Sequence, residues 1–398
     1  MTHPRCDSAA QWAYSGRLIR LTCAPCNNDI GGMREIDPQT AEDYLRHTKK
    51  VAPDEAIRVR ELTGGVSNMV MLVERPDVLD GDFVLKQARP RLRTRIEWRA
   101  DVRRIWREAD VLRHCARLLD AQRRPPDGPA ANVPRIVFED RDNYILAIQA
   151  APHPHSVWKS DLLAGRVDDQ VARSCGWLLG TLHARSWLDA QIAEQLGDRR
   201  LFDELRVDPY YRTLAATQPE VRPKVEHLIQ SMEHHPCALV HADFSPKNLL
   251  VYENGLMMVD FETGHYGDPA FDLGFFLSHL VLKACAKAPD HDKYLVLADE
   301  FVLEYDQIVG PRVGTKELAR LWTRGLQNLA GCAWARLDGK SPVEYLDDPP
   351  RRRAIRDVCR ELFAEPPDRW SQVRARCCER FAKCAREAAL GSTEDARP

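Results

Sequence analysis

Apolar residues along this chain keep a period near two in one early stretch and a period between three and four over most of the remainder. The ordered pattern begins near Asp37-Pro38, a helix-start signal, with Ala41, Tyr44 and Leu45 on one face. Ile57 and Val59 then alternate with Arg58 and Arg60, and the apolar runs Val70 to Val73 and Phe83 to Leu85 follow as strands. Thr63-Gly64-Gly65 makes the first break, and Pro76, Asp77, Asp80 and Gly81 punctuate the second. Trp98, Val102, Ile105, Trp106, Ala109, Leu112, Ala116 and Leu119 recur at three- and four-residue steps, which predicts a long amphipathic helix. After Pro125, Pro126 and Pro129, the runs Ile136-Val137 and Tyr144 to Ile148 predict another strand pair. Beyond Pro152 and Pro154 the pattern is mainly helical, through Cys175, Leu178, Leu179 and Leu182 and later over 294–306, 315–337 and 351–363. An α+β chain of two lobes follows: a small β-rich N-terminal lobe over residues 33–150 and a larger, mainly helical C-terminal lobe over 151–398. Residues 1–32 show no periodicity and are expected to form a disordered leader, with Met33 a candidate natural start.

One β-hairpin interrupts the helical half, and it carries the densest chemistry. Ala238 to Val240 and Leu249 to Val251 are short apolar strands flanking the run His241-Ala-Asp-Phe-Ser-Pro-Lys-Asn248. Asn254-Gly255 is a two-residue turn signal, and Leu256 to Val259 is the return strand. The hairpin brings Asp260, at the end of that strand, back towards Asn248. Phosphoryl transfer from a nucleotide needs a carboxylate to orient the attacking hydroxyl and oxygen ligands to hold Mg²⁺ against the phosphates. Asp243 fits the first role, and Asn248, Asp260 and Glu262 fit the second. Lys247 either steadies the γ-phosphate or stands exposed. The plain alternative, a hairpin with solvated turn acids, explains none of this order.

The N-terminal lobe supplies matching nucleotide chemistry. Gly64-Gly65, with Ser67 and Asn68, lies between two strands, where backbone N–H groups can approach phosphate closely. Lys86 ends the Phe83-Val-Leu strand, where a kinase places the lysine that pairs the α- and β-phosphates. A helix carboxylate normally holds such a lysine; Glu108 is the first candidate and Glu97 the alternative. Ile148, Gln149 and Ala150 end the last strand of the lobe and are expected to meet adenine through backbone groups.

Bulk properties exclude other classes. With 398 residues, 44% hydrophobic and 29% charged, the chain has the composition of an ordinary globular protein. A formal net charge of -2 gives no reason to expect nucleic acid or membrane as partner. The arginines between Arg89 and Arg107 are interspersed with acids and lack an aromatic platform, so they read as a solvated helix face. Twelve cysteines without a secretory signal pattern point to reduced thiols in a cytoplasm. Cys23-Ala-Pro-Cys26, with His3 and Cys6, is half of a zinc pattern whose other half is missing.

Together these motifs resemble the aminoglycoside phosphotransferase and choline kinase superfamily, which has a bilobal protein-kinase-like fold and phosphorylates small alcohols. The resemblance covers roughly residues 36–365 and is most specific over His241 to Asn248, Asp260 to Glu262, Gly267-Asp268-Pro269 and Asp272-Leu273. It implies ATP and Mg²⁺ as cofactors, Asp243 as base, Asn248 and Asp260 as metal ligands, and Asp272 as a buttress of the catalytic loop. Lys86 to Pro90, Arg93, Trp98, Arg104, Glu108 and the Asp-x-Glu at 260–262 look like methylthioribose kinases. Those enzymes carry two adjacent arginines for substrate before a Gly-x-Ala, whereas Gln327-Asn328 precede Gly331-Cys-Ala333 here. The expected acceptor is therefore a small hydroxylated metabolite, sugar-like or an amino alcohol. Trp187, Trp334, Arg336, His265 and Tyr266 are candidates for its pocket. An aminoglycoside kinase is the first alternative. Asp347 and Asp348 would supply acid for a polycation, but the arginines at 351–353 sit beside them. A Ser/Thr protein kinase would need an activation segment, for which the five residues between Glu262 and Asp268 leave no room. A nucleotide-sensing pseudokinase would lack the base, a metal ligand or the lysine, and all are present in the sequence.

Overall fold

The early period-two stretch forms an antiparallel sheet in the computed structural model, which describes residues 33–62, 68–89, 101–120 and 130–394. The expected leader with Cys23 and Cys26, the turn carrying Gly64, Gly65 and Ser67, residues 90–100 with Glu97 and Trp98, and the proline-rich break at 121–129 lie outside the described residues. Helix α1 (Ala41–His47) precedes β1 (Arg58–Glu61), β2 (Asn68–Glu74) and β3 (Phe83–Ala88). Helix α2 (Arg104–Asp120) and β4 (Ala130–Asn132) follow, then β5 (Ile136–Asp140) and β6 (Ile145–Gln149). The sheet order is β1-β2-β3-β6-β5, antiparallel throughout. Strand alternation gives it two faces. Met69, Met71, Val73, Phe83, Leu85, Ile145 and Ala147 pack against α1 through Ala41, Tyr44 and Leu45. The opposite register, Val84↔Ile148 and Lys86↔Leu146, faces α2. Lys86 is thereby aimed at a helix rather than at solvent.

The remainder is built from helices around one short hairpin. Strand β7 (His155–Val157) leads into α3 (Trp158–Leu163), α4 (Asp169–Ser186), α5 (Ala190–Leu196) and α6 (Arg200–Phe202). A π-helical stretch, Asp203–Arg212, continues α6 and passes into α7 (Thr213–Thr217) and then α8 (Arg222–His234). Strands β8 (Ala238–Val240), β9 (Leu249–Tyr252), β10 (Gly255–Met258) and β11 (His265–Gly267) flank the runs His241–Asn248 and Asp260–Glu262. Five helices close the chain: α9 (Ala270–Ala286), α10 (His291–Val313), α11 (Thr315–Asp338), α12 (Pro349–Ala364) and α13 (Trp370–Glu394). Helix α9 is buried on nearly every side, which its largely apolar sequence demands. Among the described residues no helix is long and apolar enough to cross a membrane, and all nine cysteines are free thiols.

Two local features differ from the sequence reading. Tyr252 pairs with Gly255, so the hairpin turn is Glu253-Asn254 and Gly255 already belongs to β10. The reason is β4, whose backbone pairs in parallel with β10 and whose Ala130 carbonyl lies against Gly255, where a Cβ would collide. Glycine is there for a close backbone approach, not for the turn. Consequently β4 joins the sheet β4-β10-β9-β7 rather than the five-stranded one, crossing the expected boundary at residue 150.

Close packing of α9 on α11 depends on Gly274, where a Cβ would lie 2.5 Å from both the Gly325 carbonyl oxygen and the Leu329 nitrogen. Backbone cannot yield as a side chain can, and overpacking of this kind costs about 1–3 kcal/mol. Gly274→Ala should lower the urea midpoint accordingly with an unchanged slope; a wild-type midpoint would contradict the close approach.

Candidate active site

The candidate catalytic loop leaves β8 at Val240, turns through His241 to Ser245, and closes in a 3₁₀ turn over Pro246–Asn248. A hydrogen bond from the Val259 N–H to the Asn248 carbonyl (3.0 Å) ties its end to the return strand, so Asp260 and Asn248 are neighbours. Asp260 has φ 73, a left-handed conformation that aspartate tolerates better than most residues.

Asp243 sits at the centre. Arg206, from the π-helical stretch, pairs with its Oδ1 at 2.7 Å, and the half-exposed Lys247 pairs with its Oδ2 at 2.8 Å. The Asn248 amide donates to the Asp243 carbonyl at 3.0 Å and to its Oδ2 at 2.7 Å. Burial alone would raise the Asp243 pKa, but the Arg206 and Lys247 charges outweigh it and hold the carboxyl well below the usual range. Both Asn248 amide hydrogens are taken, which leaves Oδ1 as its ligand atom. No motif spacing pointed to Arg206; it stands far ahead of the loop in sequence, and only the fold brings the two together.

Beneath the loop lies Asp272, fully buried in the first turn of α9. Its two oxygens accept the N–H groups of His241 (2.7 Å) and Ala242 (2.8 Å). His183 of α4 reaches Asp272 Oδ2 at 3.3 Å and the Tyr305 hydroxyl of α10 at 2.8 Å.

On the sheet side, Lys86 Nζ pairs with Glu108 Oε1 at 2.5 Å, and both residues are buried. The first-choice carboxylate is thus beside the lysine. Burial works against the Lys86 ammonium, but Glu108 and then Asp260 more than compensate, and Glu262 adds to them. Arg104 donates to the Asn68 side chain at 3.2 Å. The adenine expectation needs correcting in one respect. The Gln149 N–H donates to the Arg135 carbonyl and the Ala150 N–H to the Asp82 carbonyl, at 2.8 and 3.0 Å, because pairing continues past the strand end. Neither N–H is open to a base, while the Ile148 side chain packs into the core on the α2 side.

Asp260 and Glu262 flank this charge cluster from the other lobe. Burial first, then the Asp260 and Glu108 charges, push the Glu262 carboxyl up to about 7. Crowding of like charges is what a divalent cation relieves. Among the described residues no group of three or more His, Cys, Asp or Glu side chains gathers as a complete metal cage. Two carboxylates and the Asn248 amide oxygen instead form a partial hard-oxygen set, which suits Mg²⁺ sharing its shell with phosphate and water.

The proposed pocket residues scatter. Trp334 is buried and donates to Asp338 at 2.9 Å, and the Trp187 carbonyl accepts from Arg312. His265 stacks on Phe202 at 4.6 Å in the core, and Tyr266 pairs with Leu239 in the β11-β8 ladder. Arg336 is different: it reaches the Tyr210 hydroxyl at 3.4 Å, on the same π-helical stretch as Arg206.

The sequence profile of the phosphotransferase enzyme family matches residues 58–292, more than half of the chain, and the chain belongs to that family. Methylthioribose kinase 2 of Oryza sativa subsp. japonica is 23% identical over 297 residues, 66% of this chain and 66% of that protein. A methylthioribose kinase of Enterobacter sp. (strain 638) is 23% identical over 278 residues, 60% of this chain and 67% of that protein. The match spans slightly less than two thirds of the rice protein's length. A choline/ethanolamine kinase family protein from Mesorhizobium loti superposes with a TM-score of 0.43 at 16% identity, covering 86% of this chain and 93% of that one. The α+β, bilobal kinase-like fold expected from the sequence is the fold observed.

Removing the Asp272 carboxylate would leave two buried N–H donors without acceptors, at about 1–3 kcal/mol each. Asp272→Ala should destabilise the protein by at least about 2 kcal/mol and speed hydrogen exchange at His241 and Ala242. Wild-type protection at those two amides would show that the loop holds its shape by other means.

Proposed function

We propose that this chain transfers the γ-phosphoryl group of ATP to a hydroxyl of a small metabolite, with Asp243 orienting that hydroxyl. The observation that carries this reading is the convergence of charges from both lobes. Lys86 interacts electrostatically with Asp260 and Glu262, Glu108 with Glu262, and Arg206 of the π-helical stretch with the same two acids while pairing with Asp243. That arrangement matches an ATP triphosphate lying between Lys86 and the Asp260 pair, its terminal phosphorus towards Asp243.

Bound at Asp260, Glu262 and Asn248 Oδ1, Mg²⁺ would neutralise charge on the β- and γ-phosphate oxygens. Lys86 binds phosphate oxygens while Glu108 fixes its direction. Asp243 accepts the hydrogen bond of the incoming hydroxyl. As the new O–P bond forms, the bond from the γ-phosphorus to the bridging oxygen breaks, ADP departs with that electron pair, and the hydroxyl proton passes to Asp243. Held between two cations, Asp243 is a weak base. In a loose transition state the proton moves late, so its main work is alignment. Lys247, beside Asp243, is placed to follow the transferring phosphoryl group.

The class of acceptor is a sugar-like or amino alcohol. Methylthioribose lacks its expected recognition pair. Asn328, where the second arginine would stand, is buried and accepts from the Tyr211 hydroxyl at 2.7 Å, so it serves the core. Kanamycin would need uncompensated acid, yet Asp348 is already paired with Arg351 at 3.5 Å.

A coupled ADP-release assay with Mg-ATP and a panel of pentoses, methylthioribose, choline, ethanolamine, homoserine and kanamycin tests the reading. Asp243→Asn should lower kcat by about 10² to 10⁴ with nucleotide affinity preserved. Lys86→Met should instead raise the KM for ATP, and Asp260→Ala should abolish transfer. Tight ATP binding with no turnover of any acceptor would favour a nucleotide sensor. Near-wild-type turnover by the Asp260 variant would remove the metal assignment.

A further inference from the structure

Among the described residues, the buried Lys86 and the shielded Arg206 and Arg324 are each matched to an acid. A buried group near Asp243 has no such match. Phe275, His279 and Lys283 follow one another at four-residue steps along one face of α9. Phe275 lies under the Arg206 guanidinium at 5.7 Å and against Tyr210 at 5.8 Å, so this face starts beside the base. Further along it, His279 is buried, and its Nε2 has no hydrogen-bond partner. Lys283 is 1% exposed; its ammonium donates only to the His279 carbonyl at 3.3 Å and lies 5.2 Å over the Tyr345 ring. The Arg336 side chain from α11 meets Ser341 and Tyr210, and its buried Nε has no partner. The Tyr345 hydroxyl is likewise buried and unpartnered. Lys159 of α3 acts on Lys283 from a further side. Among the described residues none of Lys159, Lys283 and Arg336 is paired with a carboxylate.

Leaving buried donors and an ammonium without counter-charge is costly, so the cluster implies an external anion. Burial, then the Lys159 and Arg336 charges, bring the Lys283 ammonium down to about 7, and burial with the Lys283 and Arg336 charges depresses His279 further still. An incoming carboxylate or phosphate would reverse those costs and take up the open donors on His279, Arg336 and Tyr345. The Asp243 and Lys247 charges also act on the His279 ring, so the cluster and the base serve one space.

We propose that the phosphoryl acceptor is an anionic hydroxylated metabolite, its carboxylate or phosphate seated among Lys159, His279, Lys283 and Arg336 and its hydroxyl facing Asp243. This rests on the kinase reading and narrows its substrate class. Cationic amino alcohols and polycationic sugars are disfavoured by the same charges. The acid arm of the substrate is held by the helical lobe while the nucleotide is held by the sheet.

Calorimetric titration of the full chain with Mg-ADP present compares glycerate, ribonate and glycerol phosphate with the neutral glycerol and ribose. At least one anion should bind tenfold or more tightly than its neutral counterpart. Ribonate or glycerate leading identifies a carboxylate acceptor, and glycerol phosphate leading identifies a phosphate one. Lys283→Met and Arg336→Met should each weaken the preferred anion by tenfold to a hundredfold with Mg-ADP affinity unchanged, and Lys283→Arg should restore part of the loss. Neutral ligands binding as well as the anions, no anion binding, or insensitivity to both substitutions overturns the proposal. Turnover of a neutral sugar with ADP release, unaffected by Lys283→Met, would sink the anionic acceptor and leave the kinase reading standing. Failure of Mg-ADP itself to bind would take down both.

Discussion

Everything chemical in this molecule hangs from the buried carboxylate of Asp272. The loop from His241 to Asn248 has to reverse direction within a few residues, and Ala242 does so at φ 60, a left-handed conformation that costs a residue with a Cβ about 1–2 kcal/mol. Two consecutive N–H groups then point inward, away from any strand partner. Asp272 accepts both, and its place in the first turn of α9 favours its negative charge through the helix dipole. Through His183 and Tyr305 the same carboxylate is tied to α4 and α10. The loop therefore inherits the rigidity of the helical core, and Asp243 is held by packing that lies far from it in sequence.

Around that anchor, each charge in the cleft is set against others from a different element. Lys86 would be poorly tolerated at its depth without Glu108, and Asp243 without Arg206 and Lys247. At Glu262, burial and the Asp260 and Glu108 charges work against the Arg104 and Lys86 charges and prevail. In the proposed reading, a site arranged this way is preorganised for ligands of alternating charge: phosphate against Lys86, cation against Asp260 and Glu262. Preorganisation of this kind is what lowers a barrier when the chemistry itself asks for little covalent participation.

The grouping of the charged cleft residues was legible in the sequence because its parts are local. Asp243, Lys247 and Asn248 share one loop, Asp260 and Glu262 end the adjoining hairpin, and strand alternation together with helix periodicity aims Lys86 at Glu108. What escaped the reading came from contacts without a local signature. Arg206 reaches Asp243 from a π-helical stretch far from the loop in sequence, and no motif links the two. Gly255 looked like a turn residue because the carbonyl that requires a glycine there belongs to Ala130. The donors of Gln149 and Ala150 looked free because strand pairing beyond residue 148 is not written in residue types.

The acceptor side shows the deeper reason why a family resemblance can identify the donor chemistry and leave the substrate open. Arg336, His279, Lys283 and Lys159 come from three helices, and in sequence two of them look like interruptions of an apolar helix core. A buried lysine in such a helix is read as an anomaly until the fold places further cations beside it and, among the described residues, pairs it with no carboxylate. Trp187 and Trp334, the more conspicuous residues, were drawn into the core because large rings contribute most where they are fully covered. In the proposed reading, substrate choice is carried by polar groups whose cost is accepted inside the helical lobe, while the phosphate chemistry rests on a loop and a hairpin that any acceptor can share.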